Sequence, residues 1–358
     1  MIRVATIGTS SITERFAGAV ARADGIRVEV VFSRDDLDGI RVEVVFSRDA
    51  ARGAAFAERI GAPRSSDDLD ALLRSGEIDA VYVGSPNGAH AAQARDAIDA
   101  GVHVFLEKPA TPTSAEFADL VERADARGVV VFEGMRNVYD PGMARVAELL
   151  PRVGRVRLVS FGQSQYSARY DLVLEGETPN IFDPALAGGA LFDLGVYPLS
   201  GLVHLFGEPT AVAGSTVTIA TGADGAGAAV LAYPEHVAQV SFSKIGVSHR
   251  PNEIQGELGT IEIDEITAPA GPSTPAASAP PAGTGPVASG RSEPTSGASR
   301  PAGVRGGNDN DDDDNNDNTD NEDFLQPTPT EPERRPSRRH PTMPSWEDVL
   351  LGVRGKDD

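Results

Sequence analysis

Short β-branched runs alternate with helical segments through the first 133 residues, and glycines follow several of the helices. The predicted strands are 2–7, 28–32 or 42–46, 80–83, 102–106 and 129–132, and the predicted helices are 12–22, 50–60, 69–73, 89–100 and 114–126. Parallel strands need crossover connections, which are usually helices. The alternation therefore predicts an α/β domain, a parallel sheet with helices on both faces.

The pattern changes in the second half of the chain. Alternating runs at 155–161, 211–221, 228–233, 237–244 and 260–266, interrupted by a helical stretch at 190–205, predict an α+β domain on a large, mostly antiparallel open sheet. From residue 268 onward Pro, Gly, Ser, Asp and Asn dominate, and such a composition buries too little apolar surface to offset the entropy of ordering. We expect domains at 1–133 and 134–267 and a disordered acidic tail at 268–358.

The net charge of −21 extends over both the predicted domains and the tail, which holds 16 acidic and 9 basic residues. This acidity disfavours nucleic acid and anionic membranes as partners, since both bind positively charged surfaces. Of the 32 basic residues only three are lysine. An acidic, Lys-poor composition indicates a protein kept soluble in high salt, although GC-rich coding also favours Arg over Lys.

The chain contains no cysteine, which excludes disulfides and thiolate chemistry. Its start, MIRVATIGTSS, is typical of a strand and a turn rather than of a signal peptide. No apolar run reaches membrane-spanning length, so we expect a cytoplasmic protein.

The tail contains an Asp-rich run whose spacing partly matches a calcium-binding loop. The matching positions are Asp311, Asp313, Asn315, Asp317 and Glu322. Asn316 stands where such a loop needs glycine, so we interpret the run as solvated charge and predict no metal site.

The stretch VATIGTSSIT predicts a glycine turn between the first strand and the first helix. A full dinucleotide motif would have glycine at positions 8, 10 and 13, but only Gly8 is present, so an ordinary strand–helix turn remains an alternative. If the turn binds a pyrophosphate at the helix N-terminus, the binding residues are Gly8, Thr9, Ser10 and Ile12, and the Ser10 hydroxyl is a further donor.

Twelve residues, DGIRVEVVFSRD, occur twice between Asp24 and Asp49. The end of the second strand meets the adenosine ribose in dinucleotide-binding folds, and the copies offer Ser33 and Arg34 or Ser47 and Arg48 there. A hydroxyl beside a cation suits the 2′-phosphate of NADP, whereas an acidic residue would suit NAD. Its spacing from Gly8 slightly favours Arg34, and a solvated Arg remains the alternative reading.

Two further motifs follow predicted parallel strands, where open α/β sheets bind ligands. GSPNGAH supplies Ser85, Pro86, Asn87 and His90 as candidate cofactor-binding residues, and His90 is interpreted as structural rather than catalytic. FLEKPAT places Glu107 and Lys108 after a buried strand, where a lysine needs a partner. A salt-bridged pair at a strand end is the alternative interpretation.

The stretch AGGALFDLGVYPL places Asp193 and Tyr197 four residues apart, on one face of a helix. A lysine ammonium can lower the pKa of a nearby tyrosine, which then exchanges a proton with a sugar hydroxyl. An amphipathic helix without a chemical role is the alternative.

In this order the motifs resemble the Gfo/Idh/MocA family of NAD(P)-dependent oxidoreductases over about residues 1–266. The resemblance implies a Rossmann domain followed by an α/β domain with a large open sheet, often used for oligomerisation into dimers or tetramers. It also implies that Lys108 is catalytic, that Glu107 lies near the cofactor ribose and that Asp193 binds substrate hydroxyls.

Many members of that family have His where this chain has Tyr197. The tyrosine resembles the branch that contains glucose–fructose oxidoreductase, dihydrodiol dehydrogenase and NADP-dependent xylose dehydrogenase, in which Tyr is the acid/base. The resemblance implies NADP rather than NAD as cofactor and a cyclic sugar or polyol as substrate, an aldose fitting better than inositol. The alternative is a non-catalytic NAD(P)-binding sensor or regulatory protein of the same fold.

Overall fold

The computed structural model describes residues 2–22 and 40–269. Within these residues the N-terminal half forms a parallel sheet with strand order β3-β2-β1-β4-β5-β6. The strands are β1 (Ile2–Ile7), β2 (Ile40–Phe46), β3 (Arg64–Ser66), β4 (Ala80–Val83), β5 (His103–Leu106) and β6 (Val131–Glu133). The helices are α1 (Ser11–Arg22), α2 (Ala50–Ile60), α3 (Leu69–Arg74), α4 (Asn87–Asp99) and α5 (Ser114–Arg127). This is the doubly wound Rossmann order, and the predicted α/β fold is confirmed.

Helices cover the sheet on both faces, as the side chains of β1 show. Ala5 and Ile7 pack in a cluster with residues of α4 and α5, whereas Ile2 and Val4 pack with Tyr82 of β4. Successive residues of a strand point to opposite faces, so β1 contributes to a core on each side.

The second copy of the repeat forms β2. Ile40–Phe46 pairs with β1 on one side and with β3 on the other, and β4 occupies the second edge of β1. The preference for Arg34 as the residue at the end of strand two is therefore wrong. Residues 23–39, which include Ser33 and Arg34, lie outside the described residues.

The connection after β2 explains why the second copy is used. Only residues 47–49 separate β2 from α2, and Asp49 caps α2 by accepting a hydrogen bond of 3.0 Å from the backbone N–H of Arg52. Extra residues are accommodated more easily before the strand, because closure entropy rises only slowly with the length of a connection.

The C-terminal half forms a mixed sheet with order β12-β11-β7-β10-β9-β8 among the described residues. The strands are β7 (Val156–Ser164), β8 (Ala211–Thr218), β9 (Asp224–Ala232), β10 (Val237–Ser243), β11 (Asn252–Gly256) and β12 (Thr260–Ile263). Only the β7–β10 pair is parallel there, so the predicted, mostly antiparallel open sheet is confirmed. The short, largely polar strands β3 and β11 were not predicted, because they lack a β-branched run.

Helices pack on one face of this second sheet. They are α6 (Pro141–Leu149) and α8 (Val196–Phe206), whose apolar residues belong to the core of this sheet. The half also contains α7 (Arg169–Leu174) and short 3-10 turns at Arg136–Tyr139, Leu150–Val153, Asn180–Phe182 and Pro184–Leu186. A π-helical turn, Leu191–Gly195, leads directly into α8. The predicted helix at 190–205 therefore exists, with a wider first turn.

The stretch Pro184–Phe206 is long and apolar enough to cross a membrane by length and composition, contrary to the expectation from sequence. More than half of its most apolar part is buried, and Leu194, Leu199 and Leu202 belong to the core beneath the second sheet. It has the packing of a core helix of a globular domain.

The chain stays packed for several residues after β12. Ile266 and Thr267 are buried, and the Nε of Arg136 donates a hydrogen bond of 3.2 Å to the carbonyl oxygen of Thr267. The predicted tail, 268–358, lies outside the described residues from position 270 onward.

Candidate active site

The turn after β1 brings two backbone segments into close contact. Gly8 has a φ of 115°, and a Cβ at this position would lie 2.8 Å from the carbonyl oxygen of Gly84. Only glycine fits this position without strain. Helix α1 begins at Ser11, immediately after the turn. A helix N-terminus beside a glycine turn fits the pyrophosphate of a dinucleotide.

Ser10 does not present its hydroxyl in the predicted way. The residue is fully buried, and its Oγ lies 3.2 Å from Oγ1 of Thr13 and 3.4 Å from the carbonyl oxygen of Gly84. These contacts join the residue before α1 to the residue after β4, and donation of the Ser10 hydroxyl to a phosphate stays a prediction. Thr9 is also buried, whereas Ile12 lines the cleft described below.

The carboxyl end of β2 adjoins the glycine turn, because the N–H of Gly8 donates to the carbonyl oxygen of Phe46 at 3.4 Å. Ser47 is buried and Arg48 is exposed. Asp49 is occupied as the cap of α2. The Oγ of Ser47 accepts a hydrogen bond of 3.3 Å from the N–H of Asp49, so Arg48 is the exposed cation that directly follows β2 and its buried serine.

The GSPNGAH motif is held mainly by contacts within the protein. The hydroxyl of Ser85 donates to Oε1 of Gln93 at 2.6 Å, and Pro86 is the N-cap residue of α4. The Nδ2 of Asn87 donates to the carbonyl oxygen of Ala187 at 3.0 Å. The amide predicted to meet the cofactor thus connects the Rossmann domain to the segment that carries Asp193.

His90 is completely buried between two carbonyl oxygens, as its structural interpretation predicts. Its Nε2 lies 2.8 Å from the oxygen of Ser85 and its Nδ1 lies 2.9 Å from the oxygen of Pro109. Burial lowers the pKa of His90, against the opposing effect of these carbonyls. The ring joins the two motifs that follow β4 and β5.

Glu107 is fixed by neighbours on both carboxylate oxygens. Tyr82 donates to Oε1 at 2.6 Å, and the N–H of Lys108 donates to Oε2 at 3.2 Å. Burial and the Glu107 carboxylate raise the pKa of Tyr82, whose ring stacks on Phe16 at 3.9 Å. The pair fixes the backbone from which Lys108 extends.

Lys108 and Asp193 form a buried ion pair between the domains. The Lys108 Nζ lies 2.9 Å from both Oδ1 and the backbone oxygen of Asp193, and the side chains are 13% and 7% exposed. Burial alone would lower the pKa of Lys108 and raise that of Asp193, but mutual attraction prevails. The pKa of Lys108 is therefore raised and that of Asp193 lowered, so both groups are charged.

Tyr197 lies on the same side of the helix as Asp193. Its ring centroid is 5.0 Å from the Lys108 Nζ, and its backbone oxygen accepts a hydrogen bond of 2.9 Å from Asn137. The three residues predicted to act together, Lys108, Asp193 and Tyr197, are thus brought together from two domains.

A carboxylate from the second sheet holds the start of this helix. Asp224 accepts a hydrogen bond of 2.7 Å from the N–H of Leu191, one of the donors that a helix leaves unsatisfied at its first turn. Burial raises the pKa of Asp224 to about 6, against backbone hydrogen bonds that lower it. A Cβ on Gly189 would lie 2.0 Å from Oδ1 of Asp224, so the close approach depends on the glycine.

Lys244, at the end of β10, was not singled out from the sequence. It is buried, and its Nζ contacts Oδ2 of Asp193, the oxygen not used by Lys108. The signal that could have found it is composition, because lysine is rare in this chain.

These residues lie in a cleft that begins at the glycine turn and ends against the second sheet. Ile12, Gly84 and Ser85 line it from the N-terminal domain, and Gln163, Ile181 and Glu265 line it from the C-terminal half. Lys108, Asp193, Tyr197 and Lys244 lie between. Across the described ranges, no group of three or more potential ligand side chains is arranged to hold a metal ion.

Comparison with known families gives two matches that together span both domains. Residues 2–135 match the model described as the oxidoreductase family with an NAD-binding Rossmann fold, and residues 147–262 match the Gfo/Idh/MocA C-terminal domain.

Relatives with assigned names agree with these matches. The scyllo-inositol 2-dehydrogenase (NADP(+)) of Bacillus subtilis is 37% identical over 269 residues, which cover 75% of this chain and 78% of that protein. A D-xylose 1-dehydrogenase (NADP(+)) of Haloferax volcanii is 32% identical, covering 63% of this chain and 64% of its own. A solved 3-ketoreductase from Actinomadura kijaniata, in complex with NADP and TDP-benzene, is 25% identical with a TM-score of 0.63, over 75% of this chain and 78% of that one.

Proposed function

Because this chain belongs to the Gfo/Idh/MocA family of oxidoreductases, we propose that it transfers a hydride between a ring carbon of a cyclic sugar or polyol and NADP. The observation that carries the proposal is the meeting of Lys108, Asp193 and Tyr197 in one interdomain cleft. This combination of a cation, its buried carboxylate partner and a phenol suits proton exchange with an alcohol.

Two features of the chain support NADP as the cofactor. Gly8 and the N-terminus of α1 would hold the pyrophosphate, and Ser47 with Arg48 would meet a 2′-phosphate. The nicotinamide ring supplies or accepts the hydride when it is bound. Both dehydrogenases compared above are named as NADP-dependent.

The protein residues handle the proton of the substrate hydroxyl. Tyr197 would take that proton during oxidation and return it during reduction. Asp193 uses two of the three N–H groups of Lys108, so the third is assigned to the substrate oxygen. Asp193 would act mainly by orienting Lys108, and less as the ligand of substrate hydroxyls that the resemblance implies.

The position of the oxidised carbon is open between two substrate classes. The tyrosine pattern favours an aldose at C1, but the relative named for scyllo-inositol shares more identity over more of the chain than the one named for xylose. Both substrates present a ring CH–OH group flanked by further hydroxyls. We therefore propose the shared chemistry, a secondary or anomeric ring alcohol.

The assignment is tested with NADP⁺ and a panel of scyllo-inositol, myo-inositol, D-xylose and D-glucose, in low and high salt, by following absorbance at 340 nm. We expect oxidation of at least one member. The variant Lys108→Met should lower kcat/KM about 10²–10⁴-fold and leave NADP⁺ binding in place, while the matched Lys356→Met should have no effect.

Two results would count against catalysis on ring alcohols. The first is tight NADP⁺ binding without turnover of any panel member, which would favour the non-catalytic sensor or regulatory protein. The second is full turnover by Lys108→Met, which would remove this lysine from the mechanism.

We also propose a cytoplasmic location. We further infer that identical chains associate through the outer face of the second sheet. Val230 and Val237 are 51% and 42% exposed on that face, which carries no helix in the described part of the chain. The small residues Ala228 and Ser241 line an open recess on this face, which leaves room for side chains of a second copy.

A further inference from the structure

The placement of lysine in this protein is selective. Lys108, Lys244 and Lys356 are its three lysines, against 29 arginines. Lys108 and Lys244, which lie in the described residues, both reach the carboxylate of Asp193. Chance placement on a solvated surface does not produce this arrangement, since buried lysines are rare without a partner.

The ammonium groups of Lys108 and Lys244 contact different oxygens of the Asp193 carboxylate. Lys108 binds Oδ1 and Lys244 binds Oδ2, and the side chain of Lys244 is 8% exposed. The backbone of Lys244 is fixed on both sides: its N–H donates to Gly225 at 2.8 Å, and its oxygen accepts from Ser167 at 2.9 Å. Lys244 thus approaches Asp193 from a rigid sheet.

Lys108 and Lys244 are two cations that share the single carboxylate of Asp193. The other charged or titratable groups that line the cleft are Arg15, His90, Glu107, Arg136 and Glu265. Glu107 is engaged by Tyr82, and the carboxylate of Glu265 accepts from the hydroxyl of Thr267. A hydrogen bond does not cancel the charge of a carboxylate, so the lining counts four cations against the three carboxylates of Glu107, Asp193 and Glu265. The remaining positive charge lies in the cleft that Tyr197 also lines, where proton transfer from an alcohol would develop an anionic oxygen.

We propose that Lys244 is a positioning residue of this site, which holds Asp193 in the orientation that directs Lys108 and supplies the positive charge that stabilises the oxygen anion formed during alcohol oxidation. This role rests on the proposed function. In this role Lys244, which follows β10 of the second sheet, binds the second carboxylate oxygen of Asp193. The position of Lys108 then depends on both domains.

Replacement of Lys244 by Met removes the charge and keeps a similar length, and Asp193 retains Lys108 as its partner. In the full chain with NADP⁺ and the best panel substrate, we expect the acidic limb of the pH profile of kcat/KM for oxidation to move up by about one pH unit. NADP⁺ affinity and the melting temperature at pH 7 should stay close to the original values. Lys244→Arg, which keeps the charge, should restore most of the profile.

A second readout does not depend on turnover. Protein labelled with ¹³C at the lysine Cε carbons gives three signals, because the chain has three lysines. In Lys244→Met we expect the Lys108 signal to shift, because the shared carboxylate reorients, while the Lys356 signal serves as an internal control and stays fixed.

An unchanged pH profile together with an unchanged Lys108 signal in Lys244→Met would overturn the assignment. A large loss of NADP⁺ affinity with the pH limb in place would also overturn it, by assigning Lys244 to cofactor binding. If the original protein oxidises no panel member, the proposed function fails, and the signal of Lys108 still reports whether Lys244 orients its partner.

Discussion

At the scale of single residues, the cleft is organised by charges that are buried in partnership. An unpaired lysine or carboxylate at such depth would be strongly destabilising. Asp193 removes this difficulty for two lysines at once, and the ion pairs fix their direction. The charges at the end of β2 are exposed instead: Asp49 caps α2, and Arg48 precedes it in the chain.

Arg48 provides a residue-scale prediction about cofactor choice. We expect Arg48→Ala to weaken NADP⁺ binding about 10- to 100-fold, the size of one lost charge-assisted contact, with little change for NAD⁺. Isothermal titration with both nucleotides measures this difference. The matched control is Arg34→Ala, the same residue in the other repeat copy, which should leave both affinities unchanged. A loss of NADP⁺ affinity in Arg34→Ala alone would contradict the assignment.

At the scale of elements, the tandem repeat poses a choice between two identical strands. Their propensities cannot distinguish them, since the twelve residues are the same. The second copy is selected because it continues without interruption into α2 and β3, and Val44 and Phe46 fill the core beside β1. The sheet then has its normal order despite the additional fourteen residues.

Removal of residues 24–37 should therefore leave the fold and the cofactor site intact. The connection between α1 and β2 shortens from seventeen residues to three, and the free energy of unfolding should rise by about 1–2 kcal/mol through the smaller closure entropy. Urea unfolding and NADP⁺ titration measure both quantities. Loss of NADP⁺ binding in the shortened chain would show that the first copy is required.

A matched pair of substitutions separates the two copies directly. Val44 is fully buried, so Val44→Asp should destabilise the protein by about 3 kcal/mol or more. Val30→Asp, the same change in the first copy, should have a much smaller effect. Equal destabilisation by both would contradict the use of one copy alone.

At the scale of the whole molecule, the parallel sheet and the mixed sheet contribute different residues to the cleft. The parallel sheet presents the carboxyl ends of its strands, where Gly8 and Lys108 lie, and the mixed sheet contributes Lys244 from β10. Helix α8 and the preceding π turn lie between them and carry Asp193 and Tyr197. The opposite face of the mixed sheet is left for another role.

That outer face should mediate association of identical chains. We expect sedimentation analysis in high salt to give a multiple of the 37.4 kDa chain mass. Val230→Arg, a charge in the middle of the face, should shift the protein toward monomer. Val121→Arg, a similarly exposed valine on α5, is the control and should not. A monomeric original protein would contradict the inference.

The sequence by itself determined the two fold classes and most residues of the candidate site. Strand–helix alternation, Gly8 and the motifs around Lys108 and Asp193 are local patterns, and local patterns reflect backbone preferences that hold wherever the chain folds. Only the tertiary structure decided which repeat copy forms β2, that Ser10 and Asn87 bond within the protein, and that Lys244 contacts Asp193. Identical copies have identical propensities, and a contact between residues 193 and 244 depends on how two distant elements pack, which no local preference encodes.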